Sequence, residues 1–170
     1  MKKNYLIGLI VSIIIVISLI ISFICFKTGN NEKKCTNCDY VYDLAATYIK
    51  EEIKSTNPNK YKSNFMTFVS YDTFGVTEDK KYKYAYMWIL DDSYYKEDGK
   101  LEFAGGSSMF YKIKLENDKV VDYEIPMDGG EYTKSIKKMC FDNEMYKKVI
   151  NYKSNLNNDE VIKEYYSNIK

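Results

Sequence analysis

Two thiols stand two residues apart in Cys35-Thr36-Asn37-Cys38, just ahead of a stretch with helical periodicity. A thiol at a helix N-terminus ionises more readily, as redox C-x-x-C sites require. A thioredoxin-like site, however, follows a strand in a βαβ setting, and this pair follows a polar stalk. Zinc would need two further ligands, drawn from Cys140 and carboxylates because the chain has no His. Outside the cytoplasm the plainest outcome is a structural disulfide, either Cys35–Cys38 or one of the two with Cys140. No cofactor or resident metal is expected.

Three other groups could carry chemistry. Asp91-Asp92, Asp98 and Asp128 could gather at one sheet end around Ca²⁺ or as a carboxylate pair. No EF-hand spacing accompanies them, and aspartates in turns ordinarily serve the turn. Tyr82, Tyr84, Tyr86 and Trp88 alternate along one strand face and would stack on a sugar or peptide if exposed. Such a stripe more often packs beneath a helix, and Tyr48 and Ile49 are the residues expected to cover it, with Tyr84, Tyr86 and Trp88 as the candidate ligand surface otherwise. Lys80-Lys81-x-Lys83 beside aromatics has a faint nucleic-acid character.

The composition restricts these options. The chain has 25 Lys, no Arg and no His, against 24 Asp plus Glu. Absence of His removes the commonest general base near neutral pH, and absence of Arg removes the bidentate grip on phosphate. Past the N-terminal apolar run the charges nearly cancel, so no electrostatic pull toward nucleic acid or acidic lipid is expected.

Tyr5–Phe26 (YLIGLIVSIIIVISLIISFICF) is uncharged over 22 residues. As a helix it would span about 33 Å, matching a hydrocarbon core of about 30 Å. The run is longer than a signal-peptide core, and Ser22-Phe23-Ile24-Cys25 is too bulky for a lipoprotein cleavage box. An uncleaved single-pass anchor at residues 5–26 is therefore expected. The four-residue tail resembles a signal n-region, which puts residues 1–4 in the cytoplasm and the rest outside. Gly8, Ser12, Ser18, Ser22 and Cys25 fall within an arc of about 140° on a helical projection. Small residues on one face allow close helix approach, so an anchor-mediated homodimer is a candidate assembly.

Residues 27–39 read as a stalk. From Tyr40, Val41, Leu44, Ala45, Tyr48 and Ile49 recur with helical period, predicting an amphipathic helix over about 40–55, capped by Asp39 and stopped at Asn57-Pro58-Asn59. The period then becomes two. Strands are predicted at Asn64–Asp72, Tyr82–Asp92, Ser108–Glu116 and Lys119–Ile125, with Leu101–Phe103 a short returning arm and Gly105-Gly106 a bulge. Glu97-Asp98-Gly99-Lys100 reads as a turn and Asn117-Asp118 as a tight hairpin turn. Short helices follow at Tyr132–Met139 and Asn143–Tyr152, and Asn158 is a candidate cap for a last one. The expected class is α+β: a four-stranded antiparallel sheet with helices on one face, the domain occupying 40–153 and a helical tail 154–170.

Tyr123-Glu124-Ile125-Pro126-Met127-Asp128-Gly129-Gly130-Glu131-Tyr132, with Ile136-Lys137-Lys138, Gly106-Ser107-Ser108 and the Trp88 strand, resembles a group of uncharacterised membrane-anchored bacterial ectodomains, mostly Gram-positive. They share an Ile-Pro-x-Asp-Gly-x-x-Tyr junction before a short helix. The likeness covers roughly residues 82–150 and departs at an extra Gly130 and at Cys140, where an aromatic is usual. It implies a surface location and an accessory or sensory role, and supplies no catalytic residues. Physically the motif is a corner: Pro126 ends the ladder, Gly129 and Gly130 permit positive φ, and Asp128 is placed to cap the next helix.

The expectation is a membrane-anchored, non-enzymatic extracytoplasmic domain that binds or senses a protein, peptide or envelope component. The lipid bilayer is its partner through residues 5–26. The alternative is a surface thiol-redox or other enzyme using Cys35 and Cys38.

Overall fold

The computed structural model describes residues 32–169, and the expected anchor lies outside them. Among the described residues no helix is long and apolar enough to cross a membrane. They form an α+β domain with a five-stranded antiparallel sheet in chain order. The strands are β1 (Lys33–Lys34), β2 (Met66–Glu78), β3 (Tyr82–Glu97), β4 (Lys100–Glu116) and β5 (Lys119–Glu124). The helices are α1 (Tyr40–Thr56), α2 (Tyr132–Met139), α3 (Asn143–Ile150) and α4 (Asp159–Ser167).

The sheet is built on one long hairpin. Asp98 and Gly99 both take positive φ, as do Asn117 and Asp118, so each pair makes the kind of two-residue turn whose twist suits paired strands. The expected short arm at Leu101–Phe103 is in fact the start of β4, which pairs with β3 from Lys100 to Glu116. One irregularity interrupts that ladder, where Ser93 faces Gly105 and Tyr94 faces Phe103, leaving Ala104 as the extra residue. This is the bulge expected from the glycine pair. A Cβ on Gly106 would lie 2.6 Å from the Asp91 carbonyl oxygen, so only glycine fits there.

Two expectations about layering are corrected. The sheet has a fifth strand, because Lys33 and Lys34 in the expected stalk pair with Glu78 and Thr77. Helices also cover both faces rather than one. On one face α1 lays Val41, Ala45 and Ile49 over Ala85, Met87, Ile89, Ile113 and Leu115. On the other, Ile136 and Met139 of α2 and Met145 and Val149 of α3 lie over Tyr84, Tyr86 and Phe110. The tyrosine stripe is thus a packing face, but its cover comes from the C-terminal helices; Ile49 packs on the opposite side.

Phe74 marks where β2 changes over between the two layers. It is the extra residue of a second bulge, between Thr73 and Gly75, and after it the β2 side chains exchange faces. Phe74 itself keeps to the α2–α3 layer, whereas Val76, beyond the bulge, joins the α1 layer. The last segment is not a loose tail: Ile162 and Tyr166 of α4 bury Phe68, and the Tyr166 hydroxyl donates to the carbonyls of Asn64 and Tyr94. The compact unit accordingly begins at Glu32 and includes α4.

Three expected caps are not made. Asp39 is already helical and accepts no side-chain bond; the first turn of α1 instead rests on the Cys38 carbonyl, 3.0 Å from the Val41 nitrogen. Asp128 likewise caps nothing, and at the corner Gly129 has positive φ while Gly130 does not. Ser135 closes that corner, accepting from Met127 N–H at 2.9 Å and donating to the Tyr132 carbonyl at 2.7 Å. Asn158 turns its amide away from α4 and donates to Asp92 at 2.8 Å, tying the helix start to the sheet.

Candidate functional site

The Cys35–Cys38 loop bridges the outermost strand and the first helix. Pairing of β1 with β2 ends at Lys34, and the Cys35 N–H then donates to the Val76 carbonyl at 2.9 Å, holding the loop against the sheet. Asn37 takes positive φ, which folds the four residues tightly enough for the two sulfurs to meet. They form a disulfide between α carbons 6.0 Å apart. Cys38 is buried with the α1 core, and Cys35 is partly exposed. Cys140 sits beneath the other face of the sheet, so a bridge from it to Cys35 or Cys38 is ruled out. Burial pushes its thiol up to about 11, and nearby Asp142 adds to that.

Glu78 reaches the same loop from the end of β2. Its Oε2 lies 3.4 Å from Cys35 Sγ, and its Oε1 is 3.3 Å from the Lys33 ammonium. The register explains this, since Lys33 and Glu78 are directly paired. Donor atoms of Cys35, Cys38 and Glu78 all lie within 4.8 Å of one another. Beside them opens a cavity of about 280 Å³, walled by Tyr42, Phe74, Val76 and Met145, with Lys34 and Asp39 as its charged lining residues.

The other candidate residues are scattered or used structurally. Asp91 is buried and accepts from Ser107 Oγ; Asp98 is in the β3–β4 turn and Asp128 at the corner after β5. They do not form the expected acidic cluster. Tyr86 is fully buried, and its hydroxyl is 3.1 Å from Glu32 and 3.4 Å from Thr77. Tyr84 is buried too and donates to Asp79 at 3.2 Å; burial raises its hydroxyl to about 12. Trp88 donates to Ser108 at 2.8 Å with its ring 5.0 Å from that of Tyr152. Tyr84 and Tyr86 are therefore packing residues, which removes them from the expected ligand surface, while Trp88 is partly buried at the margin of the same cluster. In the basic run, Lys81 pairs with Glu116 at 3.2 Å and Lys83 with Asp118 at 2.7 Å.

Glu78 is the site residue that sequence reasoning missed. It lies 43 positions from Cys35, and the strand that aligns them is only two residues long, too short for any periodic signal.

These features define an antiparallel α+β domain with a disulfide-closed C-x-x-C loop at one sheet edge. No family model, curated protein or solved structure matches the chain.

Proposed function

We propose that the protein is a single-pass membrane protein whose residues 5–26 cross the bilayer and whose domain, outside the cytoplasm, binds or senses a protein, peptide or envelope component. The disulfide between Cys35 and Cys38 supports the placement, because such bonds persist in oxidising compartments. The folded unit begins at Glu32, past the apolar run at residues 5–26, so the proposed anchor and the domain occupy separate stretches of the chain. The resemblance to membrane-anchored ectodomains over roughly residues 82–150, read from the sequence alone, implies the same placement.

One observation carries the binding role. Strand β5 pairs with β4 alone and, among the described residues, has no neighbour on its outer side. Val121, the extra residue where the β4–β5 register shifts, and Ile125, just past the end of the strand, are about half exposed, at 50% and 47%. An open strand edge with apolar side chains beside it accepts an extended peptide by strand addition, the backbone giving affinity and the side chains selectivity. A photo-crosslinking residue at Val121, in the full chain in its native membrane, is expected to trap discrete adducts. The same residue at Tyr61, which is 88% exposed in a loop far along the chain, is the control. Equal labelling at both positions, or none at Val121, rejects β5 as the docking edge.

A second reading, thiol–disulfide exchange, is favoured by the unequal exposure of the two cysteines, Cys38 buried and Cys35 partly exposed. A substrate thiolate would attack Cys35, the more accessible, and Cys38 would leave as thiolate. A second substrate thiol then resolves the mixed disulfide, leaving the substrate oxidised and the pair reduced. This reading requires Cys35→Ser to abolish oxidation of a model dithiol peptide while the domain stays folded. Equal rates in parent and variant exclude it.

A further inference from the structure

We propose that reduction of the Cys35–Cys38 disulfide opens a metal site in which the two thiolates and the Glu78 carboxylate bind a thiophilic divalent cation such as Zn²⁺.

The third ligand is already in position. In tetrahedral zinc sites the metal–sulfur distance is about 2.3 Å and the metal–oxygen distance about 2.1 Å, which puts sulfur and oxygen ligands roughly 3.6 Å apart. Glu78 Oε2 stands 3.4 Å from Cys35 Sγ, close to that separation before any metal binds. A C-x-x-C pair is also the usual half of a zinc site, since two intervening residues let both sulfurs face one ion.

The surroundings suit this donor set. Glu78 is fixed by the Lys33 ammonium on its other oxygen, and its side chain is 29% exposed. The Cys35 backbone is held to Val76, which anchors the loop on the sheet side while the two sulfurs part to hold an ion. Two thiolates and one carboxylate carry three negative charges, leaving a net −1 with a divalent ion, and Lys33 and Lys34 stand beside the loop. Two sulfur donors select Zn²⁺ or Cd²⁺ over Ca²⁺ or Mg²⁺. A fourth position is left for water or an exchangeable ligand from the adjoining cavity, where Asp39 is a further carboxylate.

The chemistry balances in two steps. Two equivalents of an external thiol reduce the disulfide to two thiols and are themselves oxidised to a disulfide. The divalent ion then displaces one proton from each thiol as the two sulfur–metal bonds form. Disulfide and metal thus compete for the same pair of sulfurs.

The test uses the full chain in detergent carrying Cys25→Ala and Cys140→Ala, so that Cys35 and Cys38 are the only sulfhydryls. After reduction by a phosphine, Co²⁺ is expected to produce a near-ultraviolet thiolate charge-transfer band, abolished by one equivalent of Zn²⁺ and absent from the oxidised protein. Glu78→Gln is expected to weaken Zn²⁺ binding at least about tenfold, the scale on which perturbing a metal's supporting groups acts. X-ray absorption at bound zinc is expected to report two sulfurs with oxygen or nitrogen neighbours, which checks the site without relying on that variant. No charge-transfer band after reduction, undiminished affinity in folded Glu78→Gln, or four sulfurs around zinc would each overturn the proposal.

Discussion

Asp91 is a carboxylate set into the sheet with 4% of its surface exposed. Its Ser107 hydrogen bond does not offset the loss of water: burial raises its pKa above the ordinary carboxylate range, and neighbouring Asp92 adds to the shift. Because the folded value is raised, the contribution to stability is full below the ordinary carboxylate pKa and is lost as pH rises through the folded value. At neutral pH the ionised group is therefore a net cost. Asp91→Asn keeps an acceptor for Ser107 and removes the charge. It is expected to raise the thermal midpoint at pH 7, with no gain at pH 3. A difference that is the same at both pH values would remove titration from this account. Sequence reasoning saw Asp91 only as a candidate for an acidic cluster. It could not see the burial, because that comes from Asp91 sharing a sheet face with Met87 and Ile89 beneath α1.

At the scale of elements, the helical period over residues 40–55 was legible and the helix runs from Tyr40 to Thr56. Which of its apolar positions are buried was not. Val41, Ala45 and Ile49 face the sheet, while Leu44 and Tyr48 are each 38% exposed at the margin of the helix–sheet contact. Ile49→Ala is therefore expected to cost about 2–5 kcal/mol in urea unfolding, and Leu44→Ala about 1 kcal/mol or less. Similar costs at the two positions would mean that α1 is rotated on the sheet. The strands offer the same lesson. Alternation in Tyr82–Asp92 correctly separated the Tyr84–Tyr86–Trp88 face from the Ala85–Met87–Ile89 face, yet assigned the cover of the tyrosines to the wrong helix. Period two says which residues share a face; it carries no information about which element arrives to cover it. The bulge at Phe74 was invisible for a related reason. Its effect, an exchange of faces partway along β2, appears only once the strand is aligned with β3.

For the whole molecule, the strongest expectation concerns the bilayer, and it stands on residues 5–26 alone. The full chain is expected to stay in the membrane pellet after alkaline carbonate extraction, whereas residues 32–170 expressed alone should be soluble and cooperatively folded, since the compact unit has its own core. Release of the full chain by carbonate would end the tethered-protein reading and leave the fold and the thiol loop untouched. Local information determined what local physics controls. The apolar run, the span of α1, the two turns at Asp98-Gly99 and Asn117-Asp118, and the spacing of Cys35 and Cys38 all follow from a few adjacent residues. Tertiary structure alone decided that helices cover both faces, that Lys33–Lys34 completes the sheet, and that Glu78 meets Cys35. Each of these depends on aligning segments distant in the chain, and that alignment is selected by how much apolar surface the assembled layers bury together, a quantity no single segment encodes.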